Sequence, residues 1–316
     1  MHTWTWTQHN ELPYLTCSLL KGWSHGFFTQ QWWPHLPEAE LGVAIASAFT
    51  APQSANPATS ASQRNYRVKQ IHGNRVLTTA EHHAESEQRA EQAAQSENAT
   101  AEPTENPPSL MPEADGLIAE ANGQTVWVAT ADCVPALIAD TQTGRVAAVH
   151  AGWRGTQQKI VPIAVQRLLN QGSQIQNIRV ALGPAIAGEV YQVSTTVAAQ
   201  VGATVLPDLN AQQRPGESSV ATSPESHHAV AELLSQVKAL PQSPVLDDPQ
   251  PGRARLDVRR INVLQLEQLG LAPEHVAVAP YCTYQQGDRF FSYRRSRLKK
   301  VQWSGIAANE PSATAL

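Results

Sequence analysis

A cysteine and a histidine stand at the two ends of one predicted β-hairpin, where together they could bind a metal ion. The run VPALIAD predicts a buried strand, RVAAVH predicts its partner, and TQTG supplies the polar turn between them. If Asp140 and Arg145 pair beside the turn, Cys133 lies opposite Gly152 and diagonal to His150 on the same sheet face. Diagonal neighbours are about 7–8 Å apart, which is within reach of long side chains. A register shift of one residue would turn His150 to the opposite face.

His72, in the segment RVKQIHGNRV, is the candidate for a third ligand. It follows a short β-rich run and precedes Gly73 and Asn74, which favour a turn. One cysteine and two histidines leave a fourth zinc position open, as catalytic zinc sites do. The residues also fit a simpler interpretation, with histidines that only form hydrogen bonds and a cysteine that packs as a small apolar side chain. No CxxC or HExxH pattern supports the metal.

The residues that follow His150, AGWRGT, are suited to holding an anion. Two glycines let the backbone approach a ligand closely. A helix predicted from about Gln157 would direct free N–H groups and the positive end of its dipole toward that ligand. Arg154 adds a planar guanidinium that matches phosphate. The alternative is that Thr156 caps the helix and Arg154 points into solvent.

Composition limits the classes of protein to which the chain can belong. Its 316 residues carry 23 basic and 27 acidic side chains, so we expect no general attraction to nucleic acid. The three cysteines are too few for a disulfide framework, which favours a reducing compartment. The first residues lack the pattern of a signal peptide, and no apolar run reaches the ~20 residues that cross a bilayer. We therefore expect a soluble, cytoplasmic protein that binds neither nucleic acid nor membrane.

Strand and helix patterns alternate along the chain. Strands are predicted at 178–182 and 276–280, and helices at 157–171, 194–203, 228–240 and 257–269. The last helix ends at Gly270, a common helix stop. Mixed strands and helices indicate an α/β or α+β fold, and we treat residues 1–316 as a single domain.

Two polar segments, about 51–64 and 81–112, are predicted to be disordered surface insertions. They are rich in Ala, Ser, Glu, Gln and Pro, and they offer little apolar surface to offset the entropy of ordering. A third polar stretch near 207–228 is expected to form a loop. His82 and His83 lie in the second segment, so we reject them as metal ligands although they are adjacent.

Six motifs, taken in order, resemble one known family: QIHGNRV, DGLIAEANG, TADCVPALIAD, AVHAGWRGT, LGPAIAGEVYQV and CTYQQGDRFFSYRR. From about Trp23 to about Arg297 the chain resembles the laccase-domain or polyphenol oxidase (YfiH-like) proteins. The resemblance implies an α+β fold arranged as a four-layer α/β/β/α sandwich. It also implies that His72, Cys133 and His150 are the metal ligands, which is the same trio that the residues suggest.

The resemblance implies a zinc-dependent purine nucleoside phosphorylase that also deaminates adenosine. The reaction would use phosphate to cleave adenosine, inosine and also methylthioadenosine to free base and (methylthio)ribose 1-phosphate. Arg154 and either Arg294 or Arg295, from the SYRR motif, are candidates for holding phosphate, although the paired arginines could instead form structural ion pairs. Asp132, beside Cys133, is a candidate general acid or base, or else it orients a ligand imidazole. A zinc ion with an open position lowers the pKa of bound water to about 7, which gives deamination a physical basis.

Cys282, in the CT motif after a predicted strand, is a candidate substrate contact, and a buried structural thiol is the alternative. Two departures from the family limit the transfer. The run GEV at 188–190 stands where many relatives have a cysteine or arginine, so nothing catalytic is assigned there. Lys299 and Lys300 follow SYRR where relatives often carry a glycine-arginine motif, and their role is left open.

Two other activities fit part of the pattern. A copper-dependent polyphenol oxidase is one, because copper outcompetes zinc at nitrogen and sulfur ligands. However, the 11 histidines include no H-x-H pair of the kind that builds a trinuclear copper cluster. The other is a metal-free hydrolase with Cys133 as nucleophile and His150 as its base. Zinc is the expected cofactor, copper can replace it in vitro, and nucleoside and phosphate are the expected partners of a monomer or homodimer.

Overall fold

Two six-stranded sheets face each other in the computed structural model, which describes residues 2–35, 64–97, 110–207 and 227–310. The strands of these ranges are β1 (Trp4–His9), β2 (Leu12–Cys17), β3 (His25–Phe28), β4 (Arg64–Tyr66), β5 (Val76–Thr78), β6 (Gly116–Ala119), β7 (Gln124–Thr130), β8 (Val134–Asp140), β9 (Val146–Ala151), β10 (Ile178–Leu182), β11 (Gln192–Ser194), β12 (Val245–Asp247), β13 (Arg253–Leu256), β14 (Val276–Val278) and β15 (Gln302–Ala307). The α-helices of the same ranges are α1 (Thr79–Glu97), α2 (Trp153–Gln157), α3 (Ile160–Asn170), α4 (Thr195–Ala203), α5 (His227–Lys238), α6 (Val258–Gln268) and α7 (Tyr293–Ser296).

The order of the strands places the central hairpin in the second sheet. The first sheet runs β1-β2-β3-β15-β7-β4, the second runs β14-β10-β8-β9-β6-β5, and β11-β13-β12 form a small third sheet. Strands β8 and β9 are neighbours in the middle of the second sheet. Any side chain at the open end of this hairpin is therefore held by strands on both sides.

Alternate side chains of β8 explain why the second sheet is buried on both faces. Ala136 and Ile138 belong to an apolar cluster that includes helix α3, whereas Leu137 and Ala139 belong to the cluster shared with the first sheet. A strand that is covered on both faces forms a continuous apolar run rather than an alternating one. His150 lies on the face of β9 that meets the first sheet, because its neighbours of opposite parity pack against the helices.

Different elements cover the outer faces of the two sheets. Helices α3 to α6 cover the second sheet. On the first sheet, within the described residues, the outer face carries an aromatic cluster in which Trp32, from the 3-10 helix Gln30–His35, packs on Tyr14 and Phe28. The expected mixed α/β sandwich is confirmed. No helix in the described ranges is long and apolar enough to cross a membrane.

The predicted regular elements have close counterparts in the structure. Strands β10 and β14 and helices α4, α5 and α6 begin and end within two residues of the predicted bounds. The helix predicted at 157–171 is instead two helices: α2 begins four residues earlier, and α3 begins at Ile160. Residues 51–63 and 208–226 lie outside the described ranges. Helix α5 begins at His227, within the last residues of the stretch near 207–228 for which a loop is predicted.

The prediction of disorder for 81–112 is wrong in its first half, where α1 runs to Glu97. The helix starts with a reciprocal pair of hydrogen bonds. The Glu81 carboxylate accepts from the Thr78 N–H at 2.8 Å, and the Thr78 hydroxyl accepts from the Glu81 N–H at 3.1 Å. Both oxygens of Glu81 also accept from Arg167 at 2.7 Å. His82 bonds to the Arg67 carbonyl at 2.8 Å and stands outside the three-residue metal-ligating group of the described residues.

Candidate metal centre and active site

The central hairpin has the register that the sequence predicts. Val134 pairs with Ala151 and Pro135 with His150. Beside the turn, the Asp140 N–H donates to the Arg145 carbonyl at 2.9 Å. Cys133 therefore lies next to Gly152, and a Cβ atom on that glycine would be only 3.1 Å from the Cys133 sulfur. A larger residue at position 152 would force the cysteine sulfur to shift, so glycine suits this position.

His72 reaches the hairpin from a separate loop between β4 and β5. Its backbone has φ 61°, an uncommon conformation for a residue other than glycine. The His72 ring meets the His150 ring edge to face, with 4.7 Å between ring centroids. One ligand atom each from His72, Cys133 and His150 lie within 4.8 Å of one another. The structure thus brings together the three predicted ligands, and exposure decreases from His72 through Cys133 to His150.

Asp115, which sequence reasoning missed, holds the ligand loops in place. Its fully buried carboxylate accepts from His150 Nδ1 at 2.8 Å. The same carboxylate accepts three backbone N–H groups, from Ile71 at 3.3 Å, His72 at 2.9 Å and Gly73 at 2.6 Å. A histidine ligand usually donates its second ring N–H to such a carboxylate, which fixes the ring and frees the other nitrogen for metal. One side chain therefore orients His150 and supports the strained backbone of His72.

The pKa values of the trio describe a charge-separated pair. Burial opposes the thiolate of Cys133, yet its pKa is lowered to about 6 by the charge of His150 and by hydrogen bonds from His150 and His72. Burial likewise opposes the charged form of His150, yet Cys133 and Asp115 raise its pKa to about 9. The pKa of Asp115 is lowered despite burial, because His150 and the backbone N–H groups stabilise its charge. Without a metal, a thiolate and an imidazolium are in contact at neutral pH.

Asp132 ties the Cys133 loop to the C-terminal part of the chain. It is buried and has φ 88°. One carboxylate oxygen accepts from the Thr283 hydroxyl and the other from the Arg294 N–H, both at 2.7 Å. The alternative prediction that Asp132 orients a ligand imidazole is wrong, because Asp115 does so. Its role as a general acid or base stays a prediction, with both oxygens already engaged.

A cavity of about 660 Å³ opens beside the trio. It is lined by the end of β7, by the ligand loops and by residues 293–294, 297–301 and 303. The volume is within the range of about 300–1,000 Å³ that is usual for small-molecule sites. His72, Cys133 and His150 all line it, so a molecule in the cavity would contact the ligand side chains.

Arg154, Arg294 and Tyr191 line the same cavity. The Arg154 guanidinium is exposed and lies 4.4 Å from the ring centroid of Trp153. The Arg294 guanidinium lies 4.9 Å from the Tyr191 ring centroid and donates to the Gln192 carbonyl at 2.7 Å. Burial raises the pKa of Tyr191 to about 12, and the thiolate of Cys133 adds to the rise. The Tyr191 hydroxyl therefore keeps its proton at neutral pH and can donate a hydrogen bond.

The segment AGWRGT, which is predicted to hold an anion, differs in its local structure from the prediction. Helix α2 starts at Trp153 and has five residues, so the predicted start near Gln157 is wrong. Thr156 does not cap the helix, since it is buried and its hydroxyl accepts from Asn262 at 3.1 Å. A Cβ on Gly155 would lie 2.7 Å from the Gly73 carbonyl. This glycine lets the His72 loop pack against α2.

Arg295 and Cys282 do not line the cavity. The Arg295 guanidinium donates to the carbonyls of Thr283, Tyr284 and Phe290 at 2.7–2.8 Å. Of the two arginines, Arg294 lines the cavity and stays a candidate for holding phosphate, whereas Arg295 binds backbone carbonyls. Cys282 is buried, and its sulfur accepts from the Ala187 N–H at 3.3 Å. It is the structural thiol that the sequence left as the alternative.

Comparison with known proteins identifies the family of the chain. Residues 51–221 and 216–307 match the model of a family described as multi-copper polyphenol oxidoreductase laccase. The chain belongs to this family. In the described parts of this laccase-family chain, the trio is the one group of three or more His, Cys, Asp or Glu side chains that could hold a metal ion. That is far fewer histidine ligands than a trinuclear copper cluster needs.

Relatives of this laccase-family chain have other names. The purine nucleoside phosphorylase slr1573 of Synechocystis sp. is 44% identical over 305 residues, which cover 96% of this chain and 97% of that protein. The adenosine deaminase RL5, from an unknown prokaryotic organism, is 28% identical over 181 residues, which cover 57% of this chain and 56% of that protein. The crystal structure of YlmD from Geobacillus stearothermophilus has a TM-score of 0.64 at 22% identity, covers 96% of this chain and 99% of that one, and supports the fold.

Proposed function

We propose that the protein is a purine nucleoside phosphorylase with an adenosine deaminase side activity. It would cleave adenosine, inosine and methylthioadenosine with phosphate, giving the free base and the corresponding ribose 1-phosphate. The observation that carries the proposal is one cavity lined by the trio, by the neutral hydroxyl of Tyr191 and by the cations Arg154 and Arg294. The similarity to a phosphorylase along almost the full length of both chains supports it.

The trio fits a resident zinc ion. His72, Cys133 and His150 would hold it, since two imidazoles and a thiolate are common zinc donors. The Asp115–His150 hydrogen bond is the outer support that a ligand histidine normally has. When bound, zinc supplies a Lewis acid that can polarise the purine and that lowers the pKa of bound water to about 7. The same donors also suit copper.

The chain's own residues account for the needs of phosphorolysis. A phosphate oxygen must bond to ribose C1′ while the bond from C1′ to the base nitrogen breaks. Arg154 and Arg294 would hold the phosphate, because planar guanidinium groups match its oxygens. The departing base gains negative charge. The Tyr191 hydroxyl, whose pKa is raised to about 12, is protonated at neutral pH and can donate a hydrogen bond to the base. Asp132 would fix Arg294 through its backbone rather than touch the substrate.

A metal-free hydrolase is the second candidate, and one observation favours it. The Cys133 thiolate with a pKa of about 6, next to a protonated His150, is the usual state of a nucleophilic cysteine. Asp115 would orient His150 in that reaction too. However, a second imidazole, from His72, within 4.8 Å of the other two ligand atoms is expected for a metal site and is not needed by a Cys–His pair. Activity that persists in chelator-treated protein and is abolished by a thiol reagent would favour this candidate.

The test is the phosphate dependence of the products. Protein purified without added metal is assayed for metal content and incubated with adenosine, with and without inorganic phosphate, and the products are separated by chromatography. We expect adenine and ribose 1-phosphate only when phosphate is present. Free base formed equally fast without phosphate would mean hydrolysis, and inosine as the sole product would mean a deaminase.

Arg154 variants sharpen the test. Arg154→Ala should lower kcat/KM for phosphate by roughly 10²-fold, the order expected when a charge-assisted contact of about 2–3 kcal/mol is lost. Arg154→Lys should recover only part, because a point charge does not reproduce the planar fork. Arg253→Ala, at an exposed arginine outside the cavity lining, is the matched control and should leave the value unchanged.

A further inference from the structure

Positive charge is concentrated in the cavity far beyond the protein's average. The chain as a whole has a formal net charge of −4, with 23 basic and 27 acidic side chains. Six of those basic side chains line the cavity, whereas Asp132 is the one acidic side chain in the lining. Both Asp132 oxygens are already hydrogen-bonded. One phosphate dianion, held by Arg154 and Arg294, still leaves the cations at residues 297–300 without an acidic side chain in the lining.

Three of the surplus cations lie close together in the sequence, at the end of helix α7. Arg297, Lys299 and Lys300, here called the basic wall, belong to an unbroken run of cavity-lining residues, 297–301. Arg297 has φ 60°, which ends α7 and redirects the chain. None of the three takes part in an ion pair within the described residues.

The contacts of the basic wall leave its charges available to a ligand. The Arg297 guanidinium lies 5.7 Å from the Tyr293 ring centroid, and the Lys300 ammonium lies 5.8 Å from the Phe291 ring centroid. Such cation–π contacts position a cation without neutralising it. All three residues are exposed. The wall is therefore arranged to bind an anionic group that enters the cavity.

The two arginines at the trio have other neighbours than the basic wall. Arg154 lies in helix α2, just after His150, and the Arg294 N–H donates to Asp132, the residue before Cys133. In the basic wall, Arg297 and Lys300 are instead positioned on the rings of Tyr293 and Phe291. The cavity thus has a cationic region beside the trio and a second one along residues 297–300. A nucleoside that reacts at C1′ beside the trio has its 5′ carbon on the far side of the ribose ring.

We propose that the basic wall binds the 5′-phosphate of a purine nucleoside 5′-monophosphate, which the cavity accepts as a substrate in preference to the uncharged nucleoside. The proposal rests on the proposed function. In the reaction, an oxygen of inorganic phosphate bonds to C1′ as the bond from C1′ to the purine nitrogen breaks. The electron pair of the broken bond goes to the base, which takes up the proton that inorganic phosphate gives up, and the other product is ribose 1,5-bisphosphate.

The experiment compares three adenosine compounds that differ at the 5′ position. Adenosine carries a hydroxyl there, methylthioadenosine a neutral thioether and adenosine 5′-monophosphate an anion. Binding of each is measured by calorimetry on the metal-containing protein without inorganic phosphate, and turnover is then measured with it. We expect the monophosphate to bind at least about tenfold more tightly than the other two, as one charge-assisted contact would give. The preference should shrink as salt is raised.

Single-charge variants locate the preference. Arg297→Gln, Lys299→Gln and Lys300→Gln should each reduce the ratio of monophosphate to adenosine affinity several-fold, and together they should bring it to about one. Lys21→Gln removes the same charge from an exposed lysine outside the cavity lining and should keep the ratio. Melting temperatures verify that each variant is folded.

The outcomes separate the two proposals. If adenosine is phosphorolysed but the monophosphate binds no better, the basic wall proposal is wrong and the proposed function stands. If the monophosphate binds tightly and no compound is phosphorolysed, the wall binds a 5′-phosphate, but the proposed function and the role of the monophosphate as a substrate are both wrong. A short oligonucleotide that binds more tightly than the monophosphate would overturn the choice of ligand. Wall variants that weaken all three compounds equally would show that the wall supports the shape of the cavity and does not bind the 5′-phosphate, which would overturn the proposal.

Discussion

The two ends of the cavity are built in opposite ways. Around the trio, Asp115 and Asp132 use their carboxylate oxygens to bind backbone and side-chain donors from four separate places in the chain. Along residues 297–300, the side chains are exposed and are positioned by aromatic rings. A site held by buried hydrogen bonds is preorganised for one geometry. Long exposed cations lose side-chain entropy when they bind, so they tolerate different ligands at lower affinity for each.

The largest effect is expected at the trio, when the sulfur of Cys133 is removed. Cys133→Ala should lose the metal, from about one zinc per chain to nearly none, while the fold is kept because the two-sheet core is independent of the ion. Elemental analysis and circular dichroism check both parts. Cys282→Ala, at a buried thiol outside the cavity lining, is the control and should keep its metal. Full zinc in the Cys133 variant would refute the ligand assignment.

A smaller effect is expected from Asp115→Asn, which keeps the shape and removes the charge. Metal affinity should fall about 10–100-fold, as is typical when the partner of a ligand histidine is changed. Asp140→Asn is the matched control, because Asp140 is also fully buried and caps the turn at the other end of β8 through Gln142 and Thr143. Both variants should be less stable, but a chelator competition should show weaker zinc binding only for Asp115→Asn.

The thiolate gives a third test, which applies to metal-free protein. Iodoacetamide should modify Cys133 first, because its pKa of about 6 leaves it mostly ionised at pH 7. Cys17 and Cys282 are buried, and burial raises the pKa of Cys17. The rate should fall as pH drops through about 6, since protonation removes the nucleophile, and zinc should protect the residue. Mass spectrometry of the modified peptides decides; a midpoint near 9 would contradict the ion pair with His150.

The smallest effect on chemistry is expected at Arg295, beside the cavity arginine Arg294. Arg295→Ala leaves three carbonyl groups without their donor, so the free energy of unfolding should fall by about 1–3 kcal/mol. Its kcat/KM for phosphate should stay within a few-fold of the parent. Arg294→Ala should show the opposite pattern, with a large loss of kcat/KM. Urea unfolding and steady-state kinetics on both variants would separate structural from phosphate-binding arginines.

The geometry of the trio is where the sequence was most informative. The turn TQTG and the apolar runs on either side fix the register of β8 and β9, because a shift by one residue would expose a whole face of a buried strand. That register places Cys133 beside Gly152 and on the face of His150. The approach of His72 is a long-range contact, and no local pattern determines its position.

The misses have physical causes too. The sequence predicts disorder where helix α1 forms, because this segment has almost no apolar face. Its Ala, Glu, Gln and Arg residues are nevertheless strong helix formers. The T-x-x-E sequence from Thr78 to Glu81 is a helix-start signature that could have revealed it. Asp115 opens the DGLIAEANG motif, and an acid at the start of a buried strand is the signal that could have indicated its role. Its partners come from two other segments, which only the fold brings together.

The position of β15 has a consequence for how the protein folds during synthesis. The second sheet has all its strands once residue 278 has been made, and it contains the hairpin that carries His150. The first sheet has a gap between β3 and β7 that only residues 302–307 fill. Strands β3 and β7 therefore cannot be joined until β15 has been synthesised. Pairings between such distant segments form slowly, and the unpaired edges of β3 and β7 are open to aggregation in the meantime. We therefore expect the hairpin with Cys133 and His150 to form before the cavity wall at 297–301, which can close only once β15 has paired with β3 and β7.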